Sequence, residues 1–200
     1  MNLRSYVKTV WFTAVLTAII GVCEGVYGYT HGSSFLTQDA VGWAYGALIY
    51  TISAISFEGS PQSEFSAAAA IAVILALSGF HGTYDVVTGL LEAVPDDPSE
   101  VAASSELSLV VALLAAILLW RFRRSHDPVV EGSWLSARND VLSGGLDTSV
   151  ILVSNVFLAK WPQIISDGIG VALSFQAAYV VARDALQLRR AISGGDRPRQ

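Results

Sequence analysis

The sequence predicts an all-α integral membrane protein, a bundle of six transmembrane helices. Hydrophobic residues make up 52% of the 200-residue chain and charged residues only 14%, whereas a soluble domain has about 25% charged residues. The mean hydropathy is +0.50. The chain also divides into six long apolar stretches separated by polar breaks, and most of them reach the roughly twenty residues that cross a bilayer.

The polar breaks set the expected helix boundaries. They contain glycine, proline and charged residues, which is typical of loops. We expect a transmembrane domain over residues 1–190, a short cytoplasmic tail over residues 191–200, no cleaved signal peptide and no separate soluble domain. The six expected helices cover approximately residues 7–27, 35–57, 65–93, 107–124, 134–158 and 162–188.

Positive charge is distributed unevenly between the breaks. Lys and Arg concentrate near the N-terminus, around the segment between the fourth and fifth stretches, and toward the C-terminus, whereas Lys160 stands alone before the sixth stretch. In a chain that crosses six times, the first three places lie on one side of the bilayer and Lys160 on the other. The positive-inside bias then predicts a multi-pass protein of the inner (plasma) membrane with both termini in the cytoplasm. We expect the lipid bilayer as a partner and no nucleic acid.

Ionisable side chains inside the apolar stretches are the candidate functional residues. Each costs roughly 2.5 to 3.5 kcal/mol on insertion, and such groups usually face the bundle interior. We expect no Lys or Arg deep enough to neutralise them, so the group needs a cation or protons. The candidates are Glu24, Asp39, His81, Asp85, Asp140, Asp147 and Asp167.

The spacing of the candidates places some of them on a common helix face. His81 and Asp85 are four residues apart, so both can reach one metal ion such as zinc. Asp140 and Asp147 are seven residues apart, which is about two turns. For the His81–Asp85 pair the alternative is a helix-end pair near the headgroups. Helix-end or interfacial placement is also the alternative for Glu24, Asp39, Asp140 and Asp167.

Four stretches of the chain resemble the cation diffusion facilitator (cation efflux) family. A glycine–serine turn leads into Asp39-Ala40, a long third helix closes at Pro95, residues 137–149 resemble the second metal-site helix, and Trp161-Pro162 opens a similar last helix. The likeness covers nearly all of residues 7–190. The resemblance implies a six-helix transmembrane domain, the exchange of a divalent metal cation for protons, and a homodimer.

The family's metal ligands fall on altered positions in this chain. The resemblance places a His-or-Asp-xxx-Asp pair on helix 2 at Gly42 and Gly46, and a second pair on helix 5 at Ser143 and Asp147. Asp147 keeps a good ligand and Ser143 a poor one, whereas a zinc site uses about four ligands. The family's His-rich loop and C-terminal cytoplasmic domain have no counterpart in this sequence.

Two functional hypotheses follow. In the first, the protein is a divergent transporter that moves a divalent cation, zinc or similar, in exchange for protons through a shifted site. The shifted site is built from Asp147, Asp39, Glu24, His81 and Asp85. In the second, it is a transport-inactive pseudo-transporter that serves as a structural or partner subunit of a membrane complex. We expect no enzyme and no tightly bound cofactor, because the sequence shows no nucleophile–base pair, phosphate loop or thiol motif.

Overall fold

The computed structural model describes the backbone of residues 3–57, 59–91, 98–125, 127–157 and 161–193, and the side chains of 4–57, 59–91, 103–125, 127–150 and 164–193. Within these ranges the chain forms six α-helices and one short 3₁₀ turn, and no strand. The elements are α1 (Leu3–His31), α2 (Ser34–Ser56), α3 (Pro61–Leu91), α4 (Pro98–Leu119, followed by the 3₁₀ turn Trp120–Phe122), α5 (Pro128–Phe157) and α6 (Trp161–Ser193). Lys160 lies outside the described residues.

The connection between α1 and α2 is shorter than the sequence predicts. The expected turn over residues 28–34 reduces to Gly32 and Ser33, because α1 continues through Gly28 to His31. Gly32 has a φ of 72°, which a residue without a Cβ adopts at little cost. Ser33 then caps α2 by accepting a hydrogen bond from the amide of Leu36 at 3.3 Å. This tight turn sets α1 against α2.

Two helices begin earlier than expected, each at a proline. α4 begins at Pro98 rather than near Leu107, and α5 begins at Pro128 rather than near Trp134. Proline suits the first helical position because the missing amide hydrogen has no partner there. At the start of α5, the Asp127 carboxyl accepts the amides of Val129 at 2.8 Å and Val130 at 3.3 Å. Residues 128–133 therefore belong to a helix and not to the predicted loop.

The helices run up and down, and their contacts define two ends of the bundle. Near the start of α1, Tyr6 packs on Phe57 after α2, and Arg121 after α4 donates to Ser5. The end of α6 meets the start of α3 where Arg189 lies over Phe65. We name this the basic end, because it carries Arg4, Lys8, Arg121, Arg123, Arg124, Arg189 and Arg190.

Helix α5 lies among the other helices. α1 packs mainly on α2, α3 packs mainly on α6, and α5 contacts α2, α3, α4 and α6. Two apolar cores result. One joins α2, α3, α5 and α6 around Ile71 and Val181, and the other joins α1, α2, α4 and α5 around Tyr6 and Leu119.

Large apolar side chains remain exposed around the bundle, among them Val22, Ile55 and Ile117 at 65%, 68% and 70%. Within the described residues, four helices are long and apolar enough to cross a membrane: Arg4–His31 in α1, Pro61–Leu91 in α3, Ala103–Phe122 in and after α4, and Ile164–Ser193 in α6. The expected all-helical architecture is confirmed for the described residues, and these four helices are consistent with a multi-pass membrane protein.

Candidate functional site

Three helices bring two carboxyl groups to one hydroxyl. Glu24 lies on α1 and Asp39 on α2, and Ser104 near the start of α4 reaches both. Ser104 Oγ is 2.5 Å from Asp39 Oδ2 and 3.3 Å from Glu24 Oε1. All three residues are at least partly buried, and Glu24 is only 8% exposed. This group, which we call the Glu24–Asp39 pair, lies toward the end of the bundle opposite the basic end.

An indole group fixes the other oxygen of Glu24. Nε1 of Trp43, one turn along α2 from Asp39, donates a hydrogen bond to Glu24 Oε2 at 2.6 Å. Gly21 makes this approach possible, because a Cβ at that position would lie 2.6 Å from the Cβ of Trp43. The close packing of α1 on α2 therefore holds the Glu24 carboxyl in one orientation.

The Ser104 hydroxyl cannot satisfy both carboxylates at once. A serine has one hydrogen to donate, so when Glu24 and Asp39 are both ionised one carboxylate oxygen faces a lone pair of Ser104. Two carboxylates that share one hydroxyl also repel each other in a low-dielectric interior. The pair is satisfied when it carries a proton, or when a cation neutralises it.

Asp147 on α5 is the third acid in this region. Its Oδ1 accepts a hydrogen bond from Ser166 on α6 at 2.6 Å, and Asp39 lies within electrostatic reach of its carboxyl. Asp147 is half-buried and Ser166 is 3% exposed. The structure thus joins two of the predicted residues, Glu24 and Asp39, through Ser104, and a third, Asp147, lies within electrostatic reach of Asp39.

The predicted pair on α3 forms a separate site. His81 Nδ1 is 3.4 Å from Asp85 Oδ2, with 26% and 31% of the two side chains exposed. The His81 ring stands edge-on to Tyr45 of α2, with ring centroids 5.9 Å apart. Asp85 Oδ1 is buried and has no hydrogen-bond partner among the described residues. No hydrogen bond or ion pair in the described part of the chain joins this pair to Glu24 or Asp39.

The remaining candidates occupy different surroundings. Asp140 lies near the middle of α5, within electrostatic reach of Tyr50 on α2. Asp167 is half-buried near the start of α6, beside Ser166. Ser143 faces Gly170 of α6, where an added Cβ would lie 3.2 Å from Ser143 Oγ.

Gly42 and Gly46 occupy the positions at which the family resemblance places the metal ligands of helix 2. Neither glycine offers a side chain to a metal. A Cβ at Gly42 would meet only Asp39 Oδ1, at 4.0 Å, and one at Gly46 would meet Thr17 of α1 at 3.4 Å. Gly46 therefore packs toward α1. Within the described residues, no group of three or more His, Cys, Asp or Glu side chains is placed to hold a metal ion.

A basic residue lies deeper in α5 than the sequence predicts. Because α5 begins at Pro128, Arg138 lies three turns inside the helix. Its guanidinium donates to Asn139 Oδ1 at 2.9 Å and to Gln176 Oε1 at 2.7 Å. Among the described residues, Arg138 forms no ion pair with an acid. Glu24, Asp39 and Asp147 form no ion pair with Arg138 or with any other basic residue in the described part of the chain.

Several supporting residues do not stand out in the sequence. Ser104, Trp43 and Ser166 touch the acids directly, yet a serine or tryptophan in an apolar helix also fits packing or an interfacial anchor. Their roles depend on contacts between helices that are far apart in sequence.

No family model matches the chain, and no curated protein matches it significantly.

Proposed function

We propose that the protein is a divergent cation-efflux-type membrane transporter that moves a divalent metal cation in exchange for protons. The proposal includes six membrane spans, with α2 and α5 crossing among the four more apolar helices, and the basic end in the cytoplasm. α2 and α5 contain 23 and 30 residues, which is enough to span. Helices that line a polar path are expected to be less apolar than helices that face lipid.

The observation that carries the proposal is the Glu24–Asp39 pair and its shared hydroxyl. Two carboxylates carry two negative charges, which balance one divalent cation or two protons. The repulsion between them favours binding of either one, and that is the requirement for exchange at a single site. Asp147, with Ser166 beside it, supplies a third carboxylate on α5. Movement of α5 against α1 and α2 would therefore change which carboxylates bind the cation.

The ligand types favour a hard cation. Glu24, Asp39, Asp147 and Ser104 offer only oxygen, and oxygen ligands suit manganese or magnesium better than the thiolate and imidazole sites typical of zinc. We therefore expect Mn²⁺ to be a better substrate than Zn²⁺ if the shifted site lies at these three acids. Preference for Zn²⁺ would favour the His81–Asp85 pair instead.

Reconstituted flux tests the proposal. The purified protein in proteoliposomes, with metal and pH indicators inside, should show uptake of a divalent cation and proton movement in the opposite direction. Glu24→Gln, Asp39→Asn and Asp147→Ala should each abolish most of the flux, while Glu106→Gln, an exposed acid on α4, should leave it intact. Uptake that persists in all three variants would show that the site is elsewhere.

A specific observation favours the alternative function, a transport-inactive pseudo-transporter that serves as a subunit of a membrane complex. Gly42 and Gly46, at the positions of the resemblance's helix 2 ligands, have no side chain with which to ligate a metal. If no divalent cation moves and no proton counterflow occurs, the transporter proposal is rejected, and a pseudo-transporter subunit remains. In that case, crosslinking in native membranes should capture a second copy or a membrane-protein partner.

Membrane orientation has its own test. Reporter fusions or accessible cysteines after Arg190 and before Lys8 should both report from the cytoplasm. Termini on opposite sides would contradict six spans, and a chain that remains in buffer without detergent would contradict the membrane assignment.

A further inference from the structure

The guanidinium of Arg121 reaches from the 3₁₀ turn after α4 to the first turns of α1. Its Nη2 donates to Ser5 Oγ at 2.6 Å and to Thr9 Oγ1 at 2.9 Å. Both acceptors are neutral, and Arg121 forms no ion pair with an acid in the described part of the chain. Its Nε and Nη1 donate to no described residue. The guanidinium is therefore fixed on one side while the N–H groups on its other side remain available.

Two further cations flank the groups that hold Arg121. Arg4 and Lys8 directly precede Ser5 and Thr9 in the chain, and both side chains are exposed. They lie one turn apart on the same face of α1. Because consecutive Cα atoms are only about 3.8 Å apart, this face adjoins the Arg121 guanidinium. Within the described residues, neither Arg4 nor Lys8 forms an ion pair with an acid. We name Arg4, Lys8 and Arg121 the cationic cluster.

The exposed face of α1 changes character beyond the cationic cluster. Trp11 lies one turn after Lys8 and is exposed. The same face continues with the exposed aliphatic side chains of Val15, Ile19 and Val22. The order away from the basic end is thus positive charge, indole and then aliphatic surface. A phospholipid presents its phosphate, its ester groups and its acyl chains in the matching order, and tryptophan is enriched at the level of the headgroups.

We propose that the cationic cluster binds the phosphate of an anionic glycerophospholipid, whose acyl chains lie along the exposed face of α1. The guanidinium fork suits phosphate oxygens, and basic side chains beside an apolar helix attract anionic lipids. A zwitterionic lipid is disfavoured, because its own ammonium group cancels the charge of its phosphate. The bound lipid would connect α1 with the turn after α4. The inference rests on the placement of these helices in a bilayer and not on transport.

Lipid titration in detergent tests the inference. The purified protein is titrated with dioleoyl phosphatidylglycerol or with dioleoyl phosphatidylcholine at fixed pH and ionic strength. The thermal-unfolding midpoint and the lipid retained in native mass spectrometry are measured. Phosphatidylglycerol should be retained and should raise the midpoint in a saturable way, because a ligand that binds only the folded state stabilises it. Phosphatidylcholine should do neither. Arg121→Gln and Lys8→Gln should each weaken the apparent affinity for phosphatidylglycerol about fivefold.

Arg183→Gln is the matched control. Arg183 is an exposed arginine of α6 whose Nε already lies 2.7 Å from Asp184 Oδ1, so its removal should leave the affinity unchanged. Lys8→Gln keeps the test decisive if Arg121→Gln does not fold, since Lys8 is exposed and makes no hydrogen bond to a described residue.

Three results would overturn the inference. The first is an equal response to the two lipids, or none to phosphatidylglycerol. The second is an equal loss of affinity in Arg183→Gln and Lys8→Gln, which would indicate general attraction to positive charge. The third is a midpoint that rises with inorganic phosphate while phosphatidylglycerol is not retained, which would indicate a site for free phosphate. Retention of the lipid without metal flux would reject the transport proposal alone.

Discussion

Trp43 Nε1 donates a hydrogen bond of 2.6 Å to Glu24 Oε2, and this contact joins α2 to α1 beside the candidate site. The bond orients one oxygen of the carboxyl and leaves the other beside Ser104. A charged or partly charged acceptor inside an apolar bundle makes such a bond stronger than one between neutral groups. The indole is therefore a positioning group for Glu24.

Trp43→Phe should lower stability by about 2 kcal/mol, because it removes a hydrogen bond to a carboxyl group and leaves an oxygen unpaired. Reversible unfolding in detergent and denaturant measures the change. Trp11→Phe is the control, since Trp11 is 42% exposed on the outside of α1. In the double variant Trp43→Phe with Glu24→Gln, the two effects should not add. Additive effects would mean that the bond contributes nothing.

Gly21→Ala should destabilise the protein by about 1 to 3 kcal/mol through overpacking. The new Cβ would lie 2.6 Å from the Cβ of Trp43, an atom that cannot move without its backbone. Gly145→Ala is the matched control, because a Cβ there meets nothing within 4 Å and alanine is the better helix former by about 1 kcal/mol. Thermal unfolding should separate the two variants in opposite directions. Equal midpoints would contradict the close packing of α1 on α2.

Tyr6→Phe and Tyr50→Phe should differ in stability. Tyr6→Phe loses a hydrogen bond to Ser133, with a cost of about 1 kcal/mol. Tyr50→Phe removes a hydroxyl that has no partner in the described chain and should be neutral or stabilising. Denaturant unfolding of both variants measures the difference, and a larger loss for Tyr50→Phe would show that its hydroxyl is paired after all.

Glu131, in the first turn of α5 at the basic end, should make stability depend on pH. Burial, and then the neighbouring Asp184, raise the pKa of Glu131 from 4.5 to about 7, against a lowering effect of Arg183. The folded state holds this proton more tightly than the unfolded state does, so the stabilisation is complete below pH 4.5 and disappears as the pH rises through about 7.

Glu131→Gln should therefore flatten the pH dependence of the unfolding midpoint in that window and be more stable than the wild type at pH 8. Glu106→Gln, an exposed acid on α4, should follow the wild-type curve. An unfolding midpoint of the wild type that rises between pH 5 and pH 7 has the opposite sign and would contradict the raised pKa of Glu131. If Glu131→Gln shows the same rise, the rise comes from other groups.

The helix ends show where local sequence patterns were misleading. Residues 128–133 contain Glu131 and Gly132, which suggested a loop, but Asp127 caps the helix and Gly132 packs against Ile71, where an added Cβ would lie 2.7 Å away. Similarly, Gly28 suggested a turn but lies inside α1, where a Cβ would come within 2.9 Å of Thr37. Glycine marks a close helix contact at both positions, and composition alone does not distinguish this from a turn.

The sequence by itself determined that the chain is helical and contains segments apolar enough to cross a membrane, because hydropathy summed over about twenty residues outweighs any local exception. It also identified the acids, since an ionisable group in an apolar helix is conspicuous. Only the tertiary structure decided which acids meet. Glu24 joins Asp39 through Ser104 on another helix, whereas His81 and Asp85 stay apart from them. Helical periodicity fixes the face a residue occupies but not the rotation of one helix against its neighbour, and that rotation brings Ser104 to Glu24 and Asp39.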